Sequence, residues 1–273
     1  KSHPLWSFAT HFATRFARMA STRPKTPLVI VISGIIGAGK STLIALLGAR
    51  LVHEGLRVVV VPEPVSGWEK LGLLKSYYED ISRWGYTFQT EAFRSRIMTI
   101  RRIYEENKDA DVMLMERSPW DDQIFMEMLH EDHRITDMEW ALYQSWCEMW
   151  DLLLPVYPSV FVHLDPTVDE CQNRVHRRGR GGEDKITKEY QQSLKEKHDR
   201  FFTSGSLAVL STSGSISRVD TGSGEVVESM IMLKNMMIPC YHLQTKDNFR
   251  DLEDAKIKVT DIFKRIIEHH RPT

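Results

Sequence analysis

Residues 34–41 read Gly34-Ile35-Ile36-Gly37-Ala38-Gly39-Lys40-Ser41 and follow directly on the apolar run Leu28-Val29-Ile30-Val31-Ile32. No other stretch restricts the fold so tightly. The pattern works as a phosphate cradle only where a buried strand ends before it and a helix begins within it. Backbone N–H groups and the helix dipole then converge on anionic oxygens. The glycines let the backbone close around an anion, Lys40 can reach terminal phosphates, and the Ser41 hydroxyl is a candidate Mg²⁺ ligand. Gly34, Gly37, Ala38, Gly39, Lys40, Ser41 and Thr42 are therefore the candidate nucleotide-phosphate site. A glycine turn that only packs helix on strand would leave Lys40-Ser41 unexplained. The segment implies binding of ATP or GTP.

Short apolar runs alternate with longer helical patterns along the rest of the chain. Candidate strands are Leu28–Ile32, Arg57–Val61, Val112–Met115, Val160–Leu164 and, more weakly, Ile216–Val219. Most are continuous apolar runs, which suits strands covered on both faces. Helical patterns fall at about 40–53, 86–107, 119–131, 136–154, 186–202 and 251–269. Such alternation predicts an α/β fold with a five-stranded parallel sheet and right-handed crossovers. Ligands of such sheets sit at the carboxyl ends of the strands. The second run leads into Pro62-Glu63-Pro64 and the third into Glu116-Arg117-Ser118, so two acids and an arginine are expected beside the phosphate loop.

A chain of 273 residues with 42% hydrophobic and 27% charged residues can bury a full core in one α/β domain. Its net charge of −1 gives no global attraction to nucleic acid or anionic membrane. No run of eighteen apolar residues is present, and no membrane span is expected. Cys147, Cys171 and Cys240 are widely spaced and odd in number, as in an intracellular protein with reduced thiols. Residues 1–27 read as an extension, with no acid before Glu54 and with Leu5, Phe8, Phe12, Phe16 and Met19 on one possible helix face. That composition suits a mitochondrial transit peptide, although a surface-packed or flexible extension is the preferred reading. A cytoplasmic setting follows, with the mitochondrial matrix as the alternative. Residues 28–273 read as one domain, in which 203–225 form a Ser/Thr/Gly-rich loop region. The methionines at 230, 232, 236 and 237 read as adaptable packing.

Phosphoryl transfer needs an acid to help hold Mg²⁺, cations on the migrating group, and a base or positioner for the acceptor. Glu116 is placed to serve the metal with Ser41, and Arg117 to neutralise the transferring group. Glu63, between Pro62 and Pro64, is the candidate base; its bland alternative is a solvated loop acid. Arg174, Arg177, Arg178 and Arg180 precede or interleave with Gly179, Gly181 and Gly182. Arginines three or four apart share a helix face, and the cluster reads as a closing lid at about 174–184. A nucleic-acid patch is the weaker use of these arginines, since no RNA-binding motif accompanies them.

Together these residues resemble the cellular-type deoxyribonucleoside kinase family. The match runs from about Leu28 to Phe202 and includes the phosphate loop, Glu63-Pro64-Val65 with Trp68, Tyr78-Glu79 followed by Trp84, Phe88-Gln89-Thr90, Glu116-Arg117-Ser118, and Arg178-Gly179-Arg180 with Glu183. The resemblance implies that ATP donates its γ-phosphoryl group to the 5′-hydroxyl of a deoxynucleoside. It implies Glu63 as general base, Arg117 at the 5′ region, Glu116 for Mg²⁺, and Arg174, Arg178 and Arg180 on the donor phosphates. Tyr78 and Glu183 would bond the 3′-hydroxyl, and Gln89 would read the base edge. Trp68, Phe88 and either Phe125 or Met126 would shape the slot, with core packing an equal reading for Phe125; Trp84 is assigned to packing. Arg96 and Asp122 stand where deoxycytidine- and deoxyguanosine-accepting members carry an Arg–Asp pair. This implies deoxycytidine or purine deoxynucleosides over thymidine, unless the pair is only a structural salt bridge. Gly181-Gly182 depart from the family pattern and imply a looser lid, and the resemblance fades after Phe202. A homodimer is also implied, with helices at 119–131 and 136–154 available for the contact.

The expected architecture is thus a P-loop kinase with helices on both faces of the sheet and a short Arg-rich lid. Its expected partners are a deoxynucleoside and ATP, with no nucleic acid or membrane. Thymidine or broad-specificity kinases and a thymidylate kinase are the rivals among enzymes. A thymidylate kinase would need an arginine for the acceptor phosphate, whereas Glu63 offers a base for a neutral hydroxyl. A non-catalytic nucleotide-binding assembly subunit would have no chemical need for Lys40, Glu63, Glu116 and Arg117 together.

Overall fold

The apolar runs pair as strands of one sheet. The structure, a computed structural model, describes residues 26–152, 154–204, 216–217, 226–233, 236–244 and 253–270. The N-terminal segment with its apolar stripe, most of 203–225 and the Val219-Asp220-Thr221 segment lie outside these residues. The strands are β1 (Leu28–Ser33), β2 (Val58–Val61), β3 (Val112–Glu116), β4 (Val160–Leu164), β5 (Ile216–Ser217), β6 (Val226–Leu233) and β7 (Met236–Leu243). The helices are α1 (Lys40–His53), α2 (Val65–Lys70), α3 (Leu73–Glu79), α4 (Ile81–Glu106), α5 (Pro119–Glu131), α6 (Asp137–Asp151), α7 (Val168–Arg178), α8 (Lys188–Ser204) and α9 (Glu253–His270). A 3₁₀ turn at Glu183–Lys185 follows α7.

The sheet order is β2-β3-β1-β4-β7-β6-β5. Five strands, β2 through β7 in that order, run parallel. The expected sheet of five strands is therefore corrected: β6 and the two-residue edge strand β5 extend it antiparallel. The fifth parallel strand is β7 rather than the run at Ile216. Pro239 hid it, because proline within a run argues against an inner strand. Here the ladder to β4 begins one residue later, at Cys240 opposite Phe161. The Met-rich stretch read as packing is thus sheet.

The inner strands β1, β3 and β4 are buried at every position, as their unbroken apolar runs require. Register sets the site: Ile32 stands opposite Glu116, and Val61 opposite Met115, so β1, β2 and β3 end level with one another. A second apolar cluster, built on Trp68, Tyr77, Phe88 and Phe93, lies among α2 to α6 beside those strand ends. Helix α5 departs from the sequence reading. Residues 119–129 are all buried, so α5 is an interior helix with no amphipathic outer face.

Candidate active site

The glycines of the phosphate loop meet steric demands that no other residue meets. Gly37 has φ 83°, and a Cβ there would stand 2.5 Å from the Cys171 carbonyl oxygen; at Gly34 (φ 142°) it would stand 2.7 Å from that of Leu164. Gly39, also left-handed, passes directly into α1. Lys40 is buried, and its Nζ donates to the Gly34 and Ile35 carbonyls at 3.0 and 2.9 Å. Burial, with Arg117 nearby, lowers its pKa to about 7, although Glu63 and Glu116 oppose the shift. The Ser41 hydroxyl donates to Glu116 Oε1 at 2.6 Å.

Across the strand ends, Glu63 faces two guanidinium groups. Arg96 Nη2 donates to its Oε1 at 2.9 Å, and Arg117 Nε lies 3.4 Å from the same oxygen. Burial would raise the Glu63 pKa, but Arg117, Arg96 and Lys40 outweigh it and hold the carboxyl down to about 2. Arg96 is the hub of this wall. Its Nε and Nη2 bond Asp122 at 2.8 and 3.0 Å, and its Nη1 donates to the Glu116 carbonyl at 2.9 Å. Burial lifts Asp122 to about 6 against the pull of Arg96, which leaves it ionised at neutral pH.

Arg117 has φ 62°, an uncommon backbone state for a residue with a side chain. Its amide still donates to the Ile32 carbonyl at 3.1 Å, and its guanidinium lies 4.7 Å above the Phe125 ring. Arg117 Nη1 is buried with no hydrogen-bond partner, and the residue lines the cavity, where its charge can meet an anion. Asp121, which sequence reasoning did not single out, anchors this corner. It accepts from the Ser118 amide and hydroxyl at 2.8 and 2.6 Å and from the Ser33 hydroxyl. The Ser-x-x-Asp spacing at the start of α5 was the signal that could have found it.

A cavity of about 640 Å³ joins these groups to the aromatic cluster. Gly37, Gly39, Lys40, Ser41, Thr42, Glu63, Trp68, Tyr78, Phe88, Gln89, Arg96, Glu116, Arg117, Asp122, Phe125, Arg174, Arg178, Arg180 and Glu183 all line it. Gly34 and Ala38 lie in the loop but off the lining. Of the two candidates for the slot, Phe125 lines it and Met126 does not. Trp84 lies off the lining, against the second apolar cluster. Val65, from the Glu63-Pro64-Val65 motif, also lines it, and Leu74 and Ala92 add lining that no motif announced. Phe88 is stacked on Tyr77 (4.6 Å) and meets Trp68 edge to face (5.3 Å), which fixes a flat slot.

The arginine cluster is ordered around Glu183. Arg178 forks onto it at 3.0 and 2.7 Å, and Arg180 spans it and Glu69 at 3.7 and 3.6 Å. Arg174 Nη1 reaches the Ala38 carbonyl at 3.2 Å. Gly182 has φ 87°, and a Cβ there would lie 3.0 Å from Lys75 Cα. Glycine at 182 therefore serves close approach to α3, where the sequence suggested slack.

Phosphate loop, strand-end acids and converging arginines on a parallel sheet define a P-loop phosphotransferase. The family profile described as deoxynucleoside kinase matches residues 30–268. A probable deoxycytidine kinase of fowlpox virus (strain NVSL) is 34% identical over 64% of this chain and 71% of its own length. Human deoxycytidine kinase is 33% identical over 62% and 73%, and the mitochondrial deoxyguanosine kinase of Xenopus laevis 28% identical over 63% and 72%. The chain belongs to the deoxynucleoside kinase family and is an ATP-dependent phosphotransferase. No described helix is long and apolar enough to cross a membrane.

Proposed function

We propose that the enzyme phosphorylates the 5′-hydroxyl of deoxycytidine or a purine deoxynucleoside in preference to thymidine, as a step of deoxynucleoside salvage. The observation that carries this is the buried Arg96–Asp122 pair on the wall that also holds Gln89. An ionised carboxylate accepts from an exocyclic amino group, and the Gln89 amide can complement either a donor or an acceptor edge. Thymine offers a carbonyl where cytosine offers the amine, and its methyl needs room that the pair occupies. The names of the deoxycytidine and deoxyguanosine kinases to which the chain is similar support the same preference.

In this reading the flat slot of Trp68, Phe88 and Phe125 takes the base, while Tyr78 and Glu183 take the 3′-hydroxyl. Glu63 orients the 5′-hydroxyl toward the phosphorus. With its pKa near 2 it is a weak base, which suits a loose transition state where the proton leaves late, after the new O–P bond has acidified it. Lys40, Arg117 and the arginines at 174, 178 and 180 stabilise charge on the transferring oxygens. The Ser41 hydroxyl and Glu116 carboxylate, 2.6 Å apart on the cavity wall, are hard oxygen donors that fit Mg²⁺. When bound there, the ion neutralises phosphate charge. We also assign the chain a homodimeric state through α6, and a cytoplasmic or mitochondrial-matrix setting, in keeping with three buried free cysteines.

The test is steady-state phosphorylation of deoxycytidine, deoxyguanosine, deoxyadenosine and thymidine with MgATP, beside a Glu63→Gln variant and with dTMP as a control acceptor. Turnover of deoxycytidine or purines, lost by about 100-fold or more in the variant, is the expected result. A preference for thymidine overturns the base assignment, and a Glu63→Gln variant of near-wild-type rate overturns the role of Glu63.

A further inference from the structure

A second constellation of ligand atoms gathers at the carboxyl end of β4, away from the nucleotide cavity. His163 is buried, and its ring lies against Phe202 with centroids 4.5 Å apart and planes at 21°. Neither ring nitrogen has a hydrogen-bond partner. Asp165 follows two residues later, its position fixed by a 3.0 Å bond from its amide to the Leu243 carbonyl. Asp199 arrives from α8, with Oδ1 3.6 Å from His163 Nε2. One ligand atom from each of the three residues lies within 4.8 Å of the others.

Donors sharing a cation at bonds of about 2.0–2.2 Å stand roughly 3.3 Å apart in a tetrahedral shell. The His163–Asp199 separation is already close to that. Lys195 Nζ sits between the carboxylates, 2.5 Å from Asp165 and 2.8 Å from Asp199. An ammonium thus holds the seat of a cation, on a long stem that can swing toward solvent. Imidazole with two carboxylates suits a first-row transition ion, whereas Mg²⁺ and Ca²⁺ favour oxygen alone.

We propose that His163, Asp165 and Asp199 form a site for a divalent transition-metal ion of the Zn²⁺ class, with Lys195 as a built-in competitor. None of these residues lines the nucleotide cavity, so the site is separate from Ser41 and Glu116. An ion bound there ties β4 to α8. The buried imidazole, with no hydrogen bond to either ring nitrogen and Asp199 approaching only to 3.6 Å, is what distinguishes this cluster from an ordinary acidic pair at the surface.

Zn²⁺ and Co²⁺ alone are titrated into the full chain without nucleotide, following Co²⁺ visible absorption and thermal stability. The expected result is a single tight equivalent whose spectrum and stabilisation disappear in Asp165→Asn and His163→Phe. Lys195→Met should tighten it by about tenfold or more, because the competing cation is gone. Asp165→Asn alters only a half-exposed side chain, which keeps the test open if His163→Phe does not fold. Equal affinity in wild type and Asp165→Asn overturns the proposal, as does a Lys195→Met variant that binds no more tightly, or no binding by either protein.

Discussion

Lys40 must be charged when it meets a triphosphate, yet burial lowers its pKa to about 7 in the free protein. At pH 8 it is therefore mostly neutral, and the anionic donor raises its pKa again on binding. ATP binding at pH 8 should take up a proton, uptake should fall toward zero at pH 6, and the apparent ATP affinity should weaken as pH rises through 7. Calorimetry in buffers of different ionisation enthalpy measures this directly; uptake independent of pH would count against it. Arg96 carries a second expectation, since it serves Asp122, Glu63 and a main-chain carbonyl at once. Removing it strands the buried Asp122 carboxylate and takes from the half-buried Glu63 one of its two guanidinium partners, at a cost of about 3–5 kcal/mol, read as a loss of thermal stability together with activity. The double change Arg96→Leu with Asp122→Ala should be better tolerated than Arg96→Leu alone, and should raise the thymidine-to-deoxycytidine rate ratio. Chemistry of this kind was legible in the sequence because phosphoryl transfer fixes residue types and strand ends fix their places. The sharing of Arg96 between Asp122 and Glu63 was not, because it depends on α4 crossing the ends of β2 and β3. Nor was the positive φ of Arg117.

At the scale of the element, the start of α5 shows how a helix end builds a site. Ser118 and Asp121 form a reciprocal cap, and the other carboxylate oxygen of Asp121 takes the Ser33 hydroxyl at the end of β1. One buried acid thus ties the Glu116-Arg117 corner to the phosphate loop. Asp121→Ala leaves three donors unsatisfied, and a loss of about 2–4 kcal/mol in denaturant unfolding is expected. Asp121→Asn should lose less stability than Asp121→Ala, and its ATP KM should rise more than its deoxynucleoside KM. Gly182→Ala is the matching change in the arginine loop. Its added Cβ meets the α3 backbone in a left-handed conformation, so the Glu183 constellation shifts; KM for the deoxynucleoside should rise several-fold with little change in melting temperature. Elements with unbroken apolar or helical patterns were legible to within a few residues, α1, β4 and α5 among them. Helices α2 and α3 were not, being too short for a period to declare itself, and β7 was masked by its methionines and Pro239.

For the whole molecule, α6 presents a run of large apolar side chains exposed among the described residues. Met138, Leu142, Trp146 and Met149 are 71, 47, 41 and 41% exposed, and their spacing of three and four residues places them in one stripe, with Leu152, 81% exposed, directly after the helix. The opposite side of the helix is spent on the second apolar cluster, where Tyr143 and Cys147 are buried. An apolar stripe of this length on a two-sided helix is what an isologous dimer contact requires, since one stripe can pack against its own copy around a two-fold axis. The sequence offered two helices for this role, and burial of residues 119–129 removes α5. The stripe stands apart from the cavity lining, so breaking the contact should leave the chemistry intact. Trp146→Glu combined with Leu142→Glu should place a charge opposite its own copy and shift the species seen by light scattering from dimer to monomer. The monomer should keep its rate constant with deoxycytidine and lose thermal stability, with a melting temperature that no longer depends on protein concentration. A wild type that is monomeric at every concentration, or a double variant that stays dimeric, would remove α6 from this role.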